Sequence, residues 1–160
     1  ENDTIFRRQL IQGYVHDPAA AMWGGVCGNS GLFSNVQSLA VIMQMLLQKG
    51  NYGDHQYLKK ETVDLFTRQY YKGTDNRRGL LFDKPEPDST KNGPTAKSAS
   101  PSTFGHQGFT GTCAWADPDK QLVFIFLSNR INPVVSNNKL AQMNIRTELM
   151  EAVYRALPVE

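Results

Sequence analysis

A short glycine-rich stretch, residues 104–112, carries the residue type best suited to acid–base or binding chemistry. It contains three glycines, Gly105, Gly108 and Gly111, and places His106 between the first two. Histidine is the side chain whose charge changes nearest neutral pH, and glycines in a strand often mark the close approach of a ligand. The stretch predicts that His106 faces a ligand. The alternative is a hairpin whose histidine is satisfied internally and whose glycines only turn the chain.

The segments that follow must position this stretch. Residues 117–120 predict a type I turn with Pro118 at its second position. The run from Leu122 to Leu127 is apolar on both faces, which is typical of a strand covered on both sides. We therefore predict a hairpin in which a glycine-broken strand, residues 104–116, carries His106 and pairs with a buried apolar strand.

The longer pattern resembles the third motif and following strands of serine β-lactamase-like hydrolases. This family includes class C β-lactamases, penicillin-binding proteins and related esterases. The resemblance is carried by residues 105–112, by Trp115 with residues 117–118, and by residues 128–130, which read Ser-Asn-Arg. Residues 106–108 form the His-x-Gly variant of the family's Lys-Thr-Gly motif. The resemblance implies the partial fold of a β-lactamase or transpeptidase.

The resemblance also implies roles for individual residues. His106 would be the wall residue of the site, Gly108 would let the substrate approach the backbone, and the N–H of Phe109 would be an oxyanion donor. Gln107 and Thr110 would contact the substrate. Because the reference pKa falls from ~10.4 for lysine to ~6.5 for histidine, the wall would often be neutral. This favours small-molecule ester or amide substrates over penicillins.

Two segments near the N-terminus add candidate substrate contacts. On pattern alone, His16 and Asp17 lie in a surface loop, and adjacent residues of an extended segment point opposite ways, so direct pairing is not expected. A Val-His-Asp segment followed by a glycine-rich one, here residues 24–34, is typical of one esterase-like branch of the resembled family. This implies that His16 and Asn29 contact substrate. The branch usually has Ala and His at the positions of Cys27 and Asn29, so we expect different loop chemistry here.

The nucleophile of the resembled family does not occur at a plausible position. The only Ser-x-x-Lys match, Ser136 to Lys139, follows the third motif instead of preceding it, and a helix N-cap explains Ser136. The same serine begins the only Ser-x-Asn match. We therefore expect the nucleophile upstream of Glu1 and interpret residues 1–160 as the C-terminal part of a β-lactamase-like domain, inactive alone. The alternatives are a non-catalytic binding or regulatory module with this fold, and an unrelated α+β interaction domain.

Composition argues against several classes of partner. The formal net charge is +2, from 17 basic and 15 acidic residues without a basic cluster, so neither nucleic acid nor a membrane surface is predicted. No run reaches the ~18 apolar residues of a membrane span. The cysteines and histidines lack metal-ligand spacing, so we predict no metal and no cofactor. Only the secreted habit of the resembled family suggests a periplasmic or cell-envelope location.

The remaining pattern predicts an α+β domain, an antiparallel sheet flanked by helices. Ser34 and Gln37 form a capping box before an amphipathic helix that ends near Gly50. A second long amphipathic helix is predicted over residues 139–157. Residues 83–103 contain four of the eight prolines and many small polar residues. We expect a flexible loop there that borders the site of His106, or else an insertion without a role.

The resemblance finally implies an open sheet edge. In the resembled fold, strands from the N-terminal part of the domain lie beside the strand from Leu122 to Leu127, and we expect those strands to be absent. An apolar edge without charge or proline is a template for pairing with another chain. A homodimer through this edge is therefore predicted. The alternative is that residues 1–18 fold back and cover the edge.

Overall fold

The computed structural model describes residues 1–158, and in that range the chain forms short hairpins, helices and one larger sheet. In chain order these elements are β1 (Asn2–Asp3), β2 (Gln9–Leu10), α1 (Pro18–Met22), α2 (Val36–Leu47), β3 (Asn51–Tyr52), β4 (His55–Gln56), α3 (Lys60–Thr67), β5 (Phe104–Gln107), β6 (Cys113–Asp117), β7 (Leu122–Phe126), α4 (Lys139–Gln142) and α5 (Ile145–Arg155).

The larger sheet is antiparallel and has the strand order β5–β6–β7. In its register, His106 lies opposite Ala114, and Trp115 lies opposite Phe124. Because successive side chains of a strand point to opposite faces, β6 sends Trp115 to one face of the sheet and Ala116 to the other. Both residues are buried, so the two faces of this strand are covered.

Two helices provide that cover. Met43 and Leu47 of α2 pack in one buried cluster with Ala116. On the opposite face, Met150 and Tyr154 of α5 pack in a second cluster with Trp115. Apolar burial on both faces, about 25 cal/mol for each Å² removed from water, holds the helices to the sheet. The predicted α+β class, an antiparallel sheet flanked by helices, is confirmed.

Two predictions about the strands were wrong. Residues 104–116 form two strands, β5 and β6, because the N–H of Gly108 donates to the carbonyl of Thr112 at 2.8 Å and closes a turn between them. The strand β7 was predicted to be buried, whereas within residues 1–158 it lies at the edge of the sheet, since only β6 pairs with it. Its five residues are all partly exposed. Residues 1–18 do not pair with β7, because β1 and β2 pair with each other.

The predicted helix over residues 139–157 is interrupted. Its two pieces, α4 and α5, meet at Asn144, which adopts the left-handed conformation with φ of 51°. Asparagine is one of the few residues that enters this region readily. Ser136 is not an N-cap, because α4 begins after Asn138. The break changes the direction of the chain and brings the first turn of α5, with Arg146, to the turn between β5 and β6.

For helix α2, the predicted N-cap was wrong and the predicted C-terminal glycine is confirmed. The cap is Asn35 and not Ser34, since Oδ1 of Asn35 accepts from the N–H of Ser38 at 2.9 Å. Ser34 lies one position earlier, and its hydroxyl donates to the carbonyl of Asn35 instead. Gly50 follows the helix as predicted, with φ of +95° and its N–H on the carbonyl of Met45 at 2.8 Å.

Residues 83–103 contain no helix or strand in the described structure, but they are attached to it at several points. Asp83 pairs with Gly105 on the outer edge of β5. The ammonium group of Lys84 is buried and donates to three carbonyls, those of Thr67 at 2.9 Å, Ser102 at 3.1 Å and Thr103 at 2.9 Å. The segment therefore borders β5, and its flexibility stays a prediction. None of the described helices is long and apolar enough to cross a membrane.

Candidate active site

The turn between β5 and β6, residues 108–112, follows directly on His106 and Gln107. Two backbone hydrogen bonds shape it, from Gly108 to the carbonyl of Thr112 at 2.8 Å and from Gly111 to the carbonyl of Gly108 at 3.0 Å. Gly111 has φ of +109°, and a Cβ atom there would lie 2.3 Å from Oγ of Ser128. Only glycine satisfies both conditions. At Gly108 a Cβ atom would meet Oγ1 of Thr112 at 2.5 Å.

His106 is exposed at the end of β5, and both ring nitrogens have partners. Nε2 lies 3.0 Å from Nη1 of Arg78, and Nδ1 lies 2.7 Å from the carbonyl oxygen of Gln107. A guanidinium only donates hydrogen bonds, so Nε2 must accept and Nδ1 must carry the proton. This geometry assigns His106 the neutral Nδ1–H tautomer. The positive charge at this wall belongs to Arg78.

Phe109 presents both its ring and its backbone on the turn. The residue is 62% exposed. The imidazole of His16 stacks on the ring, with 5.4 Å between centroids and 21° between planes. The guanidinium carbon of Arg130 lies 4.3 Å from the ring centroid, within the range of a cation–π interaction. The N–H of Phe109 donates to no other residue between positions 1 and 158.

The N-terminal segment places His16 at this turn. Nε2 of His16 contacts a carboxylate oxygen of Glu1. Arg7 supports the segment, because its Nη1 donates to the carbonyl of Val15 at 2.6 Å. Asp17 points elsewhere, since its Oδ1 accepts from the N–H of Ala20 at 2.7 Å and caps α1. His16 is thus oriented by Glu1 and not by its neighbour in sequence.

Of the other residues predicted from sequence to contact substrate, some lie at this turn and others have partners elsewhere. Gln107 follows His106, but its amide donates to the carbonyl of Pro94 at 2.7 Å and ties β5 to the preceding segment. Thr110 lies in the turn, and its carbonyl accepts from the N–H of Arg130 at 2.9 Å. Asn29 is exposed in a separate glycine-rich turn, and in the described part of the chain it has no hydrogen bond to the residues around Phe109. The structure therefore brings His16 to the turn, whereas within residues 1–158 no hydrogen bond joins Asn29 to it.

Two arginines of this site were not assigned a role from sequence. Arg78 lies 28 residues before His106, and nothing in the local pattern indicates that they meet. Arg130 belongs to the Ser-Asn-Arg segment that carries the resemblance, so the sequence pointed to this residue but did not indicate what it does. Beside Arg78, Arg77 forms a two-point ion pair with Asp83 at 2.8 and 2.9 Å. This ion pair occupies the carboxylate of Asp83, whose Oδ2 lies 3.7 Å from Nη2 of Arg78.

The described residues show no group of three or more His, Cys, Asp or Glu side chains placed to hold a metal ion. The arrangement instead combines a backbone donor that has no acceptor within residues 1–158, a neutral imidazole and nearby guanidinium groups. Such groups stabilise negative charge on a substrate oxygen. Ser136, which begins the Ser-x-x-Lys match, lies exposed in the turn that precedes α4.

Comparison of this sequence with known proteins finds matches to one protein family. The family model described as Beta-lactamase matches residues 5–145. A protein of Escherichia coli K12 named "Putative D-alanyl-D-alanine carboxypeptidase" is 36% identical over 153 residues, which cover 92% of this chain and 34% of that protein. Proteins with the same name from E. coli O157:H7 and Salmonella typhi are 37% and 36% identical over 147 and 137 residues. These two matches cover 89% and 84% of this chain, and 32% and 31% of the respective relatives. The chain spans about a third of the length of these relatives.

Proposed function

Because the chain belongs to the β-lactamase family, we propose that its residues 105–112 form one wall of a serine acyl-transfer site. In such a site a serine hydroxyl adds to the carbonyl carbon of an ester or amide, and the carbonyl oxygen becomes an oxyanion. When the carbonyl forms again, the alcohol or amine leaves with a proton and the acyl group stays on the serine. Backbone N–H groups aimed at the oxyanion stabilise the transition state.

The observation that carries the proposal is the N–H of Phe109, which has no acceptor among residues 1–158. The turn that holds it is fixed by Gly108, Gly111 and Arg130, so the donor is organised before a substrate arrives. His106 stands two residues before Gly108, at the end of β5, and its exposed imidazole adds a polar wall to the same site.

The nucleophile is the part that these residues do not supply. We infer that residues 1–160 act as the C-terminal part of a β-lactamase-like domain and are inactive by themselves. The relatives are about three times as long as the matched segment, which leaves room for a Ser-x-x-Lys segment elsewhere in a protein of that length. Ser136 is the one serine of this chain with the right spacing to a lysine, and its place after the third motif argues against that role.

For the substrate, we propose a small-molecule ester or amide. The relatives carry the name of D-alanyl-D-alanine carboxypeptidases, so a peptide with that ending is the first compound to test. The guanidinium of Arg78 beside His106 supports a substrate with a negatively charged group near the scissile bond.

A hybrid protein tests the proposal. In it, this chain replaces the matching segment of the E. coli K12 relative, so that the other segments of the relative supply the nucleophile. Hydrolysis of an acyl-D-alanyl-D-alanine peptide and of p-nitrophenyl acetate is then compared between Phe109→Pro and Phe109→Ala. Proline has no N–H, whereas alanine removes only the ring and keeps the donor.

We expect Phe109→Pro to lower kcat by about 100-fold or more, in line with the loss of one oxyanion donor, and Phe109→Ala to lower it far less. Circular dichroism melting of each variant checks that the hybrid is folded. Equal activity in both variants would refute the role of the N–H. A folded hybrid that binds the peptide without hydrolysing it, while the unmodified relative hydrolyses it, would favour the non-catalytic binding module.

A further inference from the structure

Arg130, which follows β7, is attached to the turn at residues 108–112 through both its backbone and its side chain. Its N–H donates to the carbonyl of Thr110 at 2.9 Å, and its Nε donates to the carbonyl of Phe109 at 2.8 Å. Its guanidinium carbon also lies 4.3 Å from the centroid of the Phe109 ring. One residue therefore fixes two successive carbonyls and the aromatic side chain next to the proposed donor.

The other end of the guanidinium is attached to the chain that precedes α4. Nη1 of Arg130 donates to the carbonyls of Val135 at 3.0 Å and Asn137 at 3.1 Å, and to Oδ1 of Asn138 at 3.2 Å. The planar guanidinium thus spans two segments with a fixed fork of donors. A lysine ammonium, which is a single point of attachment on a flexible stem, could not reproduce this geometry.

The charge of Arg130 is not neutralised by a neighbouring carboxylate. Across residues 1–158, no Asp or Glu oxygen forms an ion pair with Arg130, and the same holds for Arg146. Arg146 reaches the carbonyls of Gly108 and Thr112 at 3.4 Å each. Burial lowers the pKa of Arg146, and the nearby charge of Arg130 lowers it further.

The peptide that contains the donor is oriented by these contacts. The carbonyl of Gly108 belongs to the same peptide unit as the N–H of Phe109, and it accepts from Gly111 at 3.0 Å and from Arg146. In a trans peptide the C=O and N–H groups point to opposite sides. Anchoring the carbonyl of Gly108 inside the turn therefore directs the N–H of Phe109 out of the turn. Arg130 holds the next carbonyl, that of Phe109 itself.

We propose that Arg130 is the positioning residue of the oxyanion donor, holding the Phe109 peptide in its outward orientation and adding an uncompensated positive charge beside the developing oxyanion. Arg146 assists from the other side of the turn. The inference rests on the proposed function of the Phe109 N–H, but the orientation of that peptide can be measured separately from any catalysis.

The first experiment uses the 160-residue chain and needs no substrate. The ¹H–¹⁵N resonance and the hydrogen-exchange rate of the Phe109 amide are compared in the parent chain, Arg130→Gln, Arg130→Lys and Arg68→Gln. Arg68 is the matched control, because its guanidinium also stacks on an aromatic ring, that of Tyr70 at 5.3 Å. We expect resonances 108–112 to broaden or divide in Arg130→Gln while those of β5 and β6 keep their positions. An unchanged Phe109 amide would overturn the proposal.

The second experiment measures the consequence in the hybrid protein. An oxygen ester and the matching thionoester are compared, because the sulfur of a thionoester is a weak hydrogen-bond acceptor and profits little from an oxyanion donor. We expect Arg130→Gln to lower kcat for the oxygen ester by about tenfold or more, to leave KM nearly unchanged, and to narrow the rate ratio of the two esters. Arg130→Lys should restore only part of the rate, and Arg68→Gln should keep the parent values.

The outcomes separate this inference from the proposed function. Arg130→Gln could lower the rates for both esters by the same factor and also lower the melting temperature. In that case Arg130 only stabilises the fold, and the positioning role is refuted. If the parent hybrid is inactive on both esters while the relative is active, the proposed function fails, and the amide measurement alone decides whether Arg130 orients the Phe109 peptide.

Discussion

Nη1 of Arg78 lies 3.0 Å from Nε2 of His106. Because the guanidinium can only donate, this contact makes Nε2 an acceptor and leaves the imidazole neutral. Sequence reasoning predicted a neutral wall with a weak hold on carboxylates. Arg78 adds a permanent positive charge beside the imidazole that the sequence pattern did not reveal. Its side chain is 47% exposed, so a substrate can reach it.

The first prediction concerns Arg78. In the hybrid protein, we expect Arg78→Gln to lower kcat/KM about tenfold for a peptide with a free carboxylate, equivalent to about 1.4 kcal/mol. The methyl amide of the same peptide should change little, because it carries no negative charge. The two substrates are compared at several salt concentrations with Arg68→Gln as control. Equal losses for both substrates would contradict a role of Arg78 in charge recognition.

The second prediction concerns His106. We expect His106→Ala to lower hydrolysis by the hybrid about tenfold or more, as for a group that contacts the transition state, with little change in melting temperature. The imidazole is exposed, and its hydrogen-bond partners within residues 1–158 are Arg78 and the carbonyl of Gln107, so its removal leaves no cavity. His55→Ala, at another exposed histidine in β4, is the control. Parent turnover with a much lower melting temperature would make His106 structural.

The third prediction is that the 160-residue chain has no acyl-transfer activity. Its only Ser-x-x-Lys match begins at Ser136, which is exposed and follows the third motif. The chain is incubated with nitrocefin, p-nitrophenyl acetate and a fluorophosphonate probe, beside a heat-treated control and Ser136→Ala. We expect no turnover above the control and no labelled protein. Stoichiometric labelling that Ser136→Ala abolishes would show that the nucleophile lies in this chain.

The fourth prediction uses the buried ammonium group of Lys84. Burial, reinforced by the charge of Lys49, lowers the pKa of Lys84 to about 8. An unfolded lysine titrates near ~10.4, so above about pH 8 the unfolded chain binds more protons than the folded one. The free energy of unfolding therefore rises with pH until the unfolded lysine also titrates. The total rise is on the order of 3 kcal/mol, since one pKa unit corresponds to about 1.4 kcal/mol.

Urea unfolding at a series of pH values measures this rise. We expect the parent chain to gain stability relative to Lys84→Met across this window. Lys120→Met, at an exposed lysine of the turn before β7, should follow the parent. Lys84→Met also leaves the carbonyls of Thr67, Ser102 and Thr103 without their donor, and this loss destabilises the variant by an amount that does not depend on pH. A parent and Lys84→Met that respond identically to pH would contradict the prediction.

The sequence predicted those features that depend on local pattern. The apolar run of β7 and the amphipathic stripe of α2 follow from side chains in the local sequence. The family resemblance then supplied the role of the Phe109 N–H, which periodicity alone could not give.

Other features depend on contacts between distant residues, and these were missed. The break at Asn144 could not be read from an amphipathic pattern that continues through it, because its cause is a left-handed residue and the packing of α5. The meeting of Arg78 with His106 joins segments that lie far apart in the sequence. No local propensity encodes such a meeting, so only the folded chain reveals it.

The fifth prediction concerns the free edge of β7. In the described residues, β6 pairs with one side of β7, and no strand pairs with the other. The segment reads Leu-Val-Phe-Ile-Phe, without charge or proline, and each residue is partly exposed. An edge of this kind presents unpaired N–H and C=O groups to another strand. Antiparallel pairing of two copies through β7 would satisfy those groups on both chains by the same symmetric contact.

We therefore expect the 160-residue chain to associate into dimers, as measured by size-exclusion chromatography with light scattering at several concentrations. Ile125→Lys is the informative variant, because Ile125 belongs to neither buried cluster of the sheet and a lysine on an edge strand opposes pairing. It should shift the mass towards that of the monomer, 17.9 kDa, without lowering the melting temperature of the chain by much. In the hybrid protein, segments of the relative could cover the same edge, so the hybrid should associate less than the chain alone. A parent chain that stays monomeric at every concentration would refute pairing through β7.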